Sequence, residues 1–247
     1  MDVGEILLVL AAVAFGFFIK GIVGIGGPLL AIPILASFTG VEYAVAVVAF
    51  PTFVANVWML WDFRSAAAGM RKYLVPLLIA GTVGTVVGAW ILVSIDDRVL
   101  SFTLALFVIA YIIWFLTNSE ARLSERAAER LTVPVGLVTG GLQGATGISS
   151  PVLATYMHSM RLERARFIYA ITVPFLVLGV VQIMAMGALG AYTGERTAAA
   201  LVAIIPVVVA LPLGLRIGAR FSQRAFEIAV LAMLGVTAIR LLWLALA

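Results

Sequence analysis

Two stretches rich in glycine and proline hold most of the residues that could bind a ligand. The first is Gly21–Pro33, and the second, 141–154, repeats its pattern of G-x-x-G, a run of small residues and P-x-L-A. Glycine disfavours a continuous helix, and proline interrupts one but suits the first turn of the next. Each stretch therefore predicts a broken helix, with a new helix that begins near Pro28 or Pro151.

The start of each new helix is a predicted anion site. The first N–H groups of a helix lack intrahelical partners, and the positive end of the helix dipole lies there. Lys20 is an ionisable group at membrane depth, hence a functional candidate, although a lysine can also snorkel to an interface. The glycines and serines could instead serve tight helix packing. The predicted substrate-binding residues are Lys20, Gly24, Gly26, Gly27, Pro28, Gln143, Gly144, Thr146, Gly147, Ser149, Ser150 and Pro151.

Asn56 and Gln182 are isolated amides in apolar segments, at comparable places in the two halves of the chain. They are predicted either to line a transport path or to form interhelical hydrogen bonds. The apolar segments contain no H-E-x-x-H motif, no paired carboxylates and no nucleophile beside a base, so no catalytic residue is predicted. With no cysteine and one histidine, the sequence predicts neither a metal site nor a cofactor.

The composition is that of a membrane protein. Of the 247 residues, 64% are hydrophobic and 11% are charged, whereas soluble proteins carry roughly 25% charged residues. A soluble fold could not bury so much apolar surface, which leaves a polytopic membrane protein. The net charge of +4 reflects cations in short loops. It is a signal of membrane orientation, and no nucleic acid is expected as a partner.

The two halves of the chain are related in sequence. The segment 75–89 aligns without gaps on 205–219, with identical residues at five positions that include Gly84 with Gly214. In each segment another glycine follows four residues later, Gly88 or Gly218, and glycines at this G-x-x-x-G spacing allow two helices to approach closely. The match alone could be chance between segments of one composition, but with the repeated glycine–proline pattern it indicates duplication.

The predicted fold is all-α, with two inverted repeats that each comprise a re-entrant, broken-helix hairpin followed by three transmembrane helices. The predicted segments are a first repeat over 1–119 (hairpin 4–38, helices 41–62, 72–94 and 98–119), a cytoplasmic linker over 120–130, and a second repeat over 131–247 (hairpin 131–159, helices 165–187, 197–215 and 225–246).

The lysines and arginines of the short loops predict the orientation. If each broken stretch is a hairpin that returns to the side it entered, cytoplasmic loops hold 12 of these cations and outer loops 2; if each crosses once, the split is 7 against 7. Hairpins are therefore predicted, with both termini outside and the two tips meeting near the midplane. Charge counting does not separate half-helices from full spans, but the short second arms favour re-entrant hairpins.

The stretches Phe18–Pro33 and Gly141–Ala154 resemble those of the TauE/SafE sulfite exporter family, which is grouped with 4-toluene sulfonate uptake permeases. The chain length and duplicated layout are similar too, so the resemblance covers nearly the whole chain. It implies a multi-pass carrier of small anions, often sulfite or organosulfonates, in a prokaryotic cytoplasmic membrane. Many relatives have an acidic residue before the first glycine run, where this chain has Lys20; the lysine fits an anion-binding role rather than proton coupling.

The expected function is secondary transport, outward, of a small sulfur-containing or related anion, by alternating access around the two hairpin tips. The expected partners are that anion, membrane lipid, a coupling ion (H⁺ or Na⁺) and further copies of the chain in a homo-oligomer. Two alternatives stay open. An anion channel would use the same binding residues without alternating closure, and a non-transporting membrane scaffold would bind no anion.

Overall fold

A computed structural model of the chain consists of helices and the turns between them. It describes residues 3–24, 26–67, 69–117 and 124–217, together with residues 235, 238–239, 242–243 and 246. The α-helices in these ranges are α1 (Val3–Val23), α2 (Gly27–Thr39), α3 (Val41–Phe63), α4 (Arg71–Ser94), α5 (Asp97–Thr117), α6 (Glu125–Thr146), α7 (Ser150–Ser159), α8 (Arg164–Ala188), α9 (Gly194–Val202) and α10 (Ile204–Ile217).

Five helical segments of the described chain are long and apolar enough to cross a membrane. Many of their large apolar side chains are exposed, among them Ile79, Trp90 and Ile205. A bilayer accommodates such a surface, whereas water does not. The chain is therefore an all-helical, multi-pass membrane protein, as its composition predicts. The five segments are Gly4–Ile22, Val41–Ala66, Arg71–Ser94, Ala165–Ala188 and Gly194–Ile217.

The predicted segments correspond to these helices with small shifts of their ends. The predicted helix 197–215 comprises α9 and α10, which meet at Ala203. Helix α6 begins at Glu125, inside the predicted linker, because Ser124 caps it by accepting the Ala127 N–H. Most of the predicted helix 225–246 lies outside the described residues. The remaining predictions correspond to α1 and α2 (hairpin 4–38), α3 (41–62), α4 (72–94), α5 (98–119), α6 and α7 (hairpin 131–159) and α8 (165–187).

Both glycine–proline stretches break the helix. Gly24 and Gly26 have φ of 89° and 104° between α1 and α2, and Gly147 has φ of 67° between α6 and α7. Glycine adopts these left-handed conformations without the steric cost that a Cβ would bring. The first arms, of 21 and 22 residues, are about 32 Å long, and the second arms, of 13 and 10 residues, are about 20 Å and 15 Å. Only the first arms match the roughly 30 Å hydrocarbon thickness of a bilayer.

The chain divides into two compact units, which do not follow the two halves of the sequence. Unit 1 comprises Met1–Pro51, Ser94–Ser119 and Tyr192–Ala247; unit 2 comprises Thr52–Val93 and Glu120–Ala191. Each unit therefore combines the hairpin of one predicted repeat with the second transmembrane helix of the other. Unit 1 joins α1 and α2 to α9 and α10, and unit 2 joins α6 and α7 to α4.

In unit 1, α1 packs against α10 backbone to backbone. A Cβ added at Gly21 would lie 2.4 Å from the Leu211 carbonyl oxygen, and one at Gly214 would lie 2.1 Å from the Phe18 carbonyl oxygen. Only glycine fits at either contact. In the same unit, the start of α3 is held by α5, because the Asp97 carboxylate accepts the Val41 N–H at 2.7 Å.

In unit 2, α4 and α6 approach each other in the same way. A Cβ at Gly140 would lie 1.9 Å from the Gly81 carbonyl oxygen, and one at Gly84 would lie 2.4 Å from the Leu137 carbonyl oxygen. The close approach predicted for Gly84 is thus confirmed.

The amino ends of α4 and α6 are also joined by ion pairs. Lys72 bonds to Glu125 and Glu129. The hydrogen bond from Lys72 lowers the pKa of the Glu125 carboxyl below its ordinary value. Gly84 and Gly214, which the predicted duplication pairs, both contact the first arm of the predicted hairpin in the other predicted repeat.

Candidate functional site

The first broken helix buries a lysine beside the start of α2. Lys20 lies in the last turn of α1 and is 1% exposed. A Cβ added at Gly27, the first residue of α2, would lie 3.2 Å from the Lys20 Cδ atom and 3.0 Å from the Phe17 ring. The chain leaves α1 through Gly24, whose N–H donates to the Lys20 carbonyl at 2.7 Å. The lysine stem therefore lies against the start of the next helix.

Helix α2 begins without a side-chain cap. Gly26 is the N-cap residue, Pro28 lies in the first turn, and that turn contains no acidic residue. A Cβ added at Gly26 would meet no described atom within 4 Å, so the space beside the tip is open. The N–H groups of Gly27 and Leu29 have no carbonyl partner within the helix. The positive end of the α2 dipole therefore lies at this tip, and the stem of Lys20 packs beside it.

At the second break, two predicted site residues are fixed by the turn itself. Gly147 ends α6 by donating its N–H to the Gln143 carbonyl at 2.9 Å. The Thr146 hydroxyl donates to the Leu142 carbonyl at 2.8 Å and accepts the Ile148 N–H at 3.1 Å. Gly144 serves packing, since a Cβ there would lie 2.2 Å from the Thr85 carbonyl oxygen of α4. These three residues shape the tip and hold its backbone.

The start of α7 places two serines and a proline at the second tip. Ser149 is the N-cap residue but its side chain does not cap the helix, and Pro151 lies in the first turn. Ser149 and Ser150 are 2% and 8% exposed. In the part of the chain that the structure describes, the Ser150 hydroxyl has no hydrogen-bond partner. Like α2, helix α7 leaves free N–H groups at its start, here those of Ser150 and Val152.

A pair of glutamines supports this second tip. The Gln182 side chain of α8 donates from Nε2 to the Gln143 carbonyl at 2.6 Å and accepts at Oε1 from Gln143 Nε2 at 2.8 Å. Gln143 Oε1 in turn accepts from the Ser149 hydroxyl at 2.7 Å. Gln182 is predicted either to line a transport path or to form interhelical hydrogen bonds. Its contacts in the structure are interhelical hydrogen bonds.

Two further polar residues lie within apolar helices of unit 2. Asn56, in α3, is fully buried. Thr139, in α6, is also fully buried, and its hydroxyl has no partner among the described residues. Sequence reasoning missed Thr139, although its place one turn before Gln143 puts two polar groups on one helix face and could have indicated it. Across the described ranges, no three histidine, aspartate or glutamate residues come close enough to hold a metal ion.

Two comparisons with known proteins identify the family of the chain. A family model described as sulfite exporter TauE/SafE matches residues 8–241, which include both tips. A probable membrane transporter protein of Methanocaldococcus jannaschii is 25% identical to the chain over 259 residues, covering 94% of this chain and 95% of that relative. No solved structure matches the chain. The chain belongs to the TauE/SafE family of sulfite exporters, a family of membrane transporters.

Proposed function

We propose that the protein is a secondary transporter that exports a small sulfur-containing or related anion, such as sulfite or an organosulfonate, across a prokaryotic cytoplasmic membrane. The observation that carries this proposal is the burial of Lys20 against the amino end of α2. Membership of the family supports the transporter class. The anionic substrate is proposed from the chemistry of the tips.

The charges at the first tip favour an anion. Burying an ammonium group costs several kcal/mol of hydration free energy, even after the protein relaxes around it. The positive end of a helix beside that group raises the cost further. A bound anion would stabilise the ammonium group and the helix end together. The glycines of the tip have no side chains, which leaves room for the anion.

The second tip offers an uncharged version of the same chemistry. The start of α7 supplies free N–H groups and the positive end of a helix, and buried serine hydroxyls lie beside them. We assign anion binding to the tips, with alternating access around them as the mechanism and H⁺ or Na⁺ as the coupling ion. The residues so assigned are Lys20, Gly24, Gly26, Gly27 and Pro28 in the first tip, and Gln143, Gly144, Thr146, Gly147, Ser149, Ser150 and Pro151 in the second.

The two lysines of the chain provide a matched test of the binding step. Lys20 is buried, whereas Lys72 is exposed and paired with Glu125 and Glu129. We expect Lys20→Ala to weaken sulfite binding about tenfold at low salt, by a factor that shrinks as salt screens the charge. Lys72→Ala should leave binding unchanged. Sulfite-dependent melting of the purified protein measures both affinities; unchanged binding by Lys20→Ala would remove this lysine from the site.

Proteoliposomes distinguish transport from the alternatives. A secondary transporter exchanges labelled sulfite against an excess of unlabelled sulfite on the other side of the membrane. An anion channel would conduct far faster and show no such counterflow. A scaffold would show neither flux nor ligand-dependent melting.

A further inference from the structure

The hydrogen bonds behind the second tip have a fixed direction. A backbone carbonyl can only accept a hydrogen bond. The Gln182 group within 2.6 Å of the Gln143 carbonyl is therefore the NH₂ end of the amide, and the same group lies 3.5 Å from the Gly144 carbonyl. The oxygen of Gln182 must then face Gln143, so the Gln143 group 2.8 Å away is also an NH₂.

The orientation of the Gln143 amide also fixes the direction of its hydrogen bond with Ser149. With its NH₂ turned to Gln182, Gln143 presents its amide oxygen to the Ser149 hydroxyl at 2.7 Å. An amide oxygen cannot donate, so Ser149 gives its single proton to Gln143. Ser149 does not cap α7 with its side chain. At the start of α7, its oxygen therefore presents lone pairs and no proton.

The rest of the tip presents donors. The N–H groups of Ser150 and Val152 lie in the first turn of α7, where the helix supplies no partner. Ser150 as a residue is 8% exposed, and its hydroxyl has no hydrogen-bond partner in the described part of the chain. One hydrogen-bond acceptor with a fixed direction thus stands beside several donors. That set complements a ligand that offers both oxygen lone pairs and one O–H.

We propose that the second tip selects an oxyanion that still carries one proton, and that Ser149 accepts the hydrogen bond from this O–H. The inference rests on the proposed function, in which this tip binds an anion, and narrows its substrates to oxyanions that can carry a proton, which include sulfite as hydrogensulfite and exclude organosulfonates. A fully deprotonated oxyanion, or a sulfonate, would place an oxygen lone pair against the lone pairs of Ser149. A buried acceptor left without a donor costs more than an average hydrogen bond contributes, so sites built for an O–H reject analogues that lack it. Gln182 is a positioning residue in this scheme, because it acts only through Gln143.

Methylphosphonate and methanesulfonate test the proposal. At a mildly acidic pH both are monoanions of similar shape, and they differ in one P–OH group. We expect the purified full-length protein to bind methylphosphonate about tenfold more tightly than methanesulfonate. Ser149→Ala should bring the two affinities close together. Ser159→Ala should preserve the preference, because Ser159 is a buried serine of the same helix that donates to the Tyr156 carbonyl, away from the tip.

The second variant is Gln182→Met, which leaves the tip residues in place. Without Gln182 the Gln143 amide can turn and donate to Ser149, which frees the serine proton for the ligand. The preference for methylphosphonate should then fall about as far as it does in Ser149→Ala. A preference that survives Gln182→Met, or equal affinities in the unaltered protein, would overturn the inference and leave anion binding intact. Binding of neither anion, nor of sulfite, would count against the proposed function itself.

Discussion

Individual residues give the two tips different chemistry. The first tip offers charge, from Lys20 and a helix end, and glycines with no side chains. The second offers no charge but directed hydrogen bonds through Gln143 and Ser149. Attraction by a charge is weakened by salt and tolerates many anions, whereas hydrogen bonds discriminate between ligands by the position of a proton. Under the proposed function, we therefore expect anion binding at the first tip to depend on salt, and binding at the second to depend on the protonation of the anion.

Gly27 offers a way to move Lys20 without removing it. In Gly27→Ala the new methyl group would approach the Phe17 ring at 3.0 Å and the Lys20 stem at 3.2 Å, so both side chains must give way by a few tenths of an ångström. We expect sulfite affinity to fall several-fold, since the ammonium group then lies farther from the anion. Gly194→Ala is the control, because Gly194 also begins a helix and a Cβ there meets no described atom within 4 Å. Sulfite titrations of both variants at low salt measure the difference, and equal affinities would contradict the close approach of Lys20 to the site.

At this scale the sequence predicts which residues are unusual but not what they contact. A lysine and two amides in apolar segments are easily noticed, because each must be compensated where it is buried. The bond between Gln143 and Gln182 joins residues 39 positions apart. It depends on how α6 and α8 are rotated toward each other, which the residue types do not specify. The use of Thr146 within its own turn was likewise not predictable from its type.

Among the elements, the helix breaks follow from the local sequence and the helix partners do not. Glycines with positive φ and prolines in the next turn define both breaks through backbone sterics, which act over a few residues. The spacing of Gly84 and Gly88 indicates a close contact in the same local way. That the contact is made with α6 requires the packed structure, since any helix with a small-residue face could fill that role.

The contact between α4 and α6 predicts opposite effects at two adjacent glycines. A Cβ at Gly140 would lie 1.9 Å from the Gly81 carbonyl oxygen, whereas one at Gly141 has its nearest described neighbour at 4.0 Å. Gly140→Ala forces two backbones apart and should cost about 3 kcal/mol of stability, with a large fall in melting temperature. Gly141→Ala should be neutral or stabilising by up to about 1 kcal/mol, because alanine favours the helix. Melting of both variants in one detergent checks this, and a mild Gly140→Ala would show that the helices are not in backbone contact.

In the molecule as a whole, each compact unit combines parts of both sequence halves. Gly214 of α10 contacts α1, the first arm of the first predicted hairpin, and Gly84 of α4 contacts α6, the first arm of the second. Because the duplication pairs Gly84 with Gly214, the same contact occurs twice with the roles of the halves exchanged. This reciprocity supports the duplication. It could not be predicted by aligning the halves, since an alignment shows which segments are alike and not which segments pack together.

The membrane orientation is the prediction that belongs to the whole chain. The chain has no cysteine, so single cysteines can report sidedness in an otherwise native background. If both broken helices are hairpins, the loops that hold 12 of the cations are cytoplasmic. Glu120→Cys and Leu162→Cys should then react with a membrane-impermeant thiol reagent only from the cytoplasmic side. Leu189→Cys, in the cation-poor segment before α9, should react only from the outside.

The pair at 120 and 162 is the decisive one, because the second broken helix lies between these two positions. A hairpin brings the chain back to the same side, whereas a single crossing puts the two cysteines on opposite sides. Labelling in right-side-out and inverted vesicles therefore reads the topology directly, with unlabelled cysteine-free protein as the blank. Reaction of the two cysteines from opposite sides would exclude a hairpin at α6 and α7.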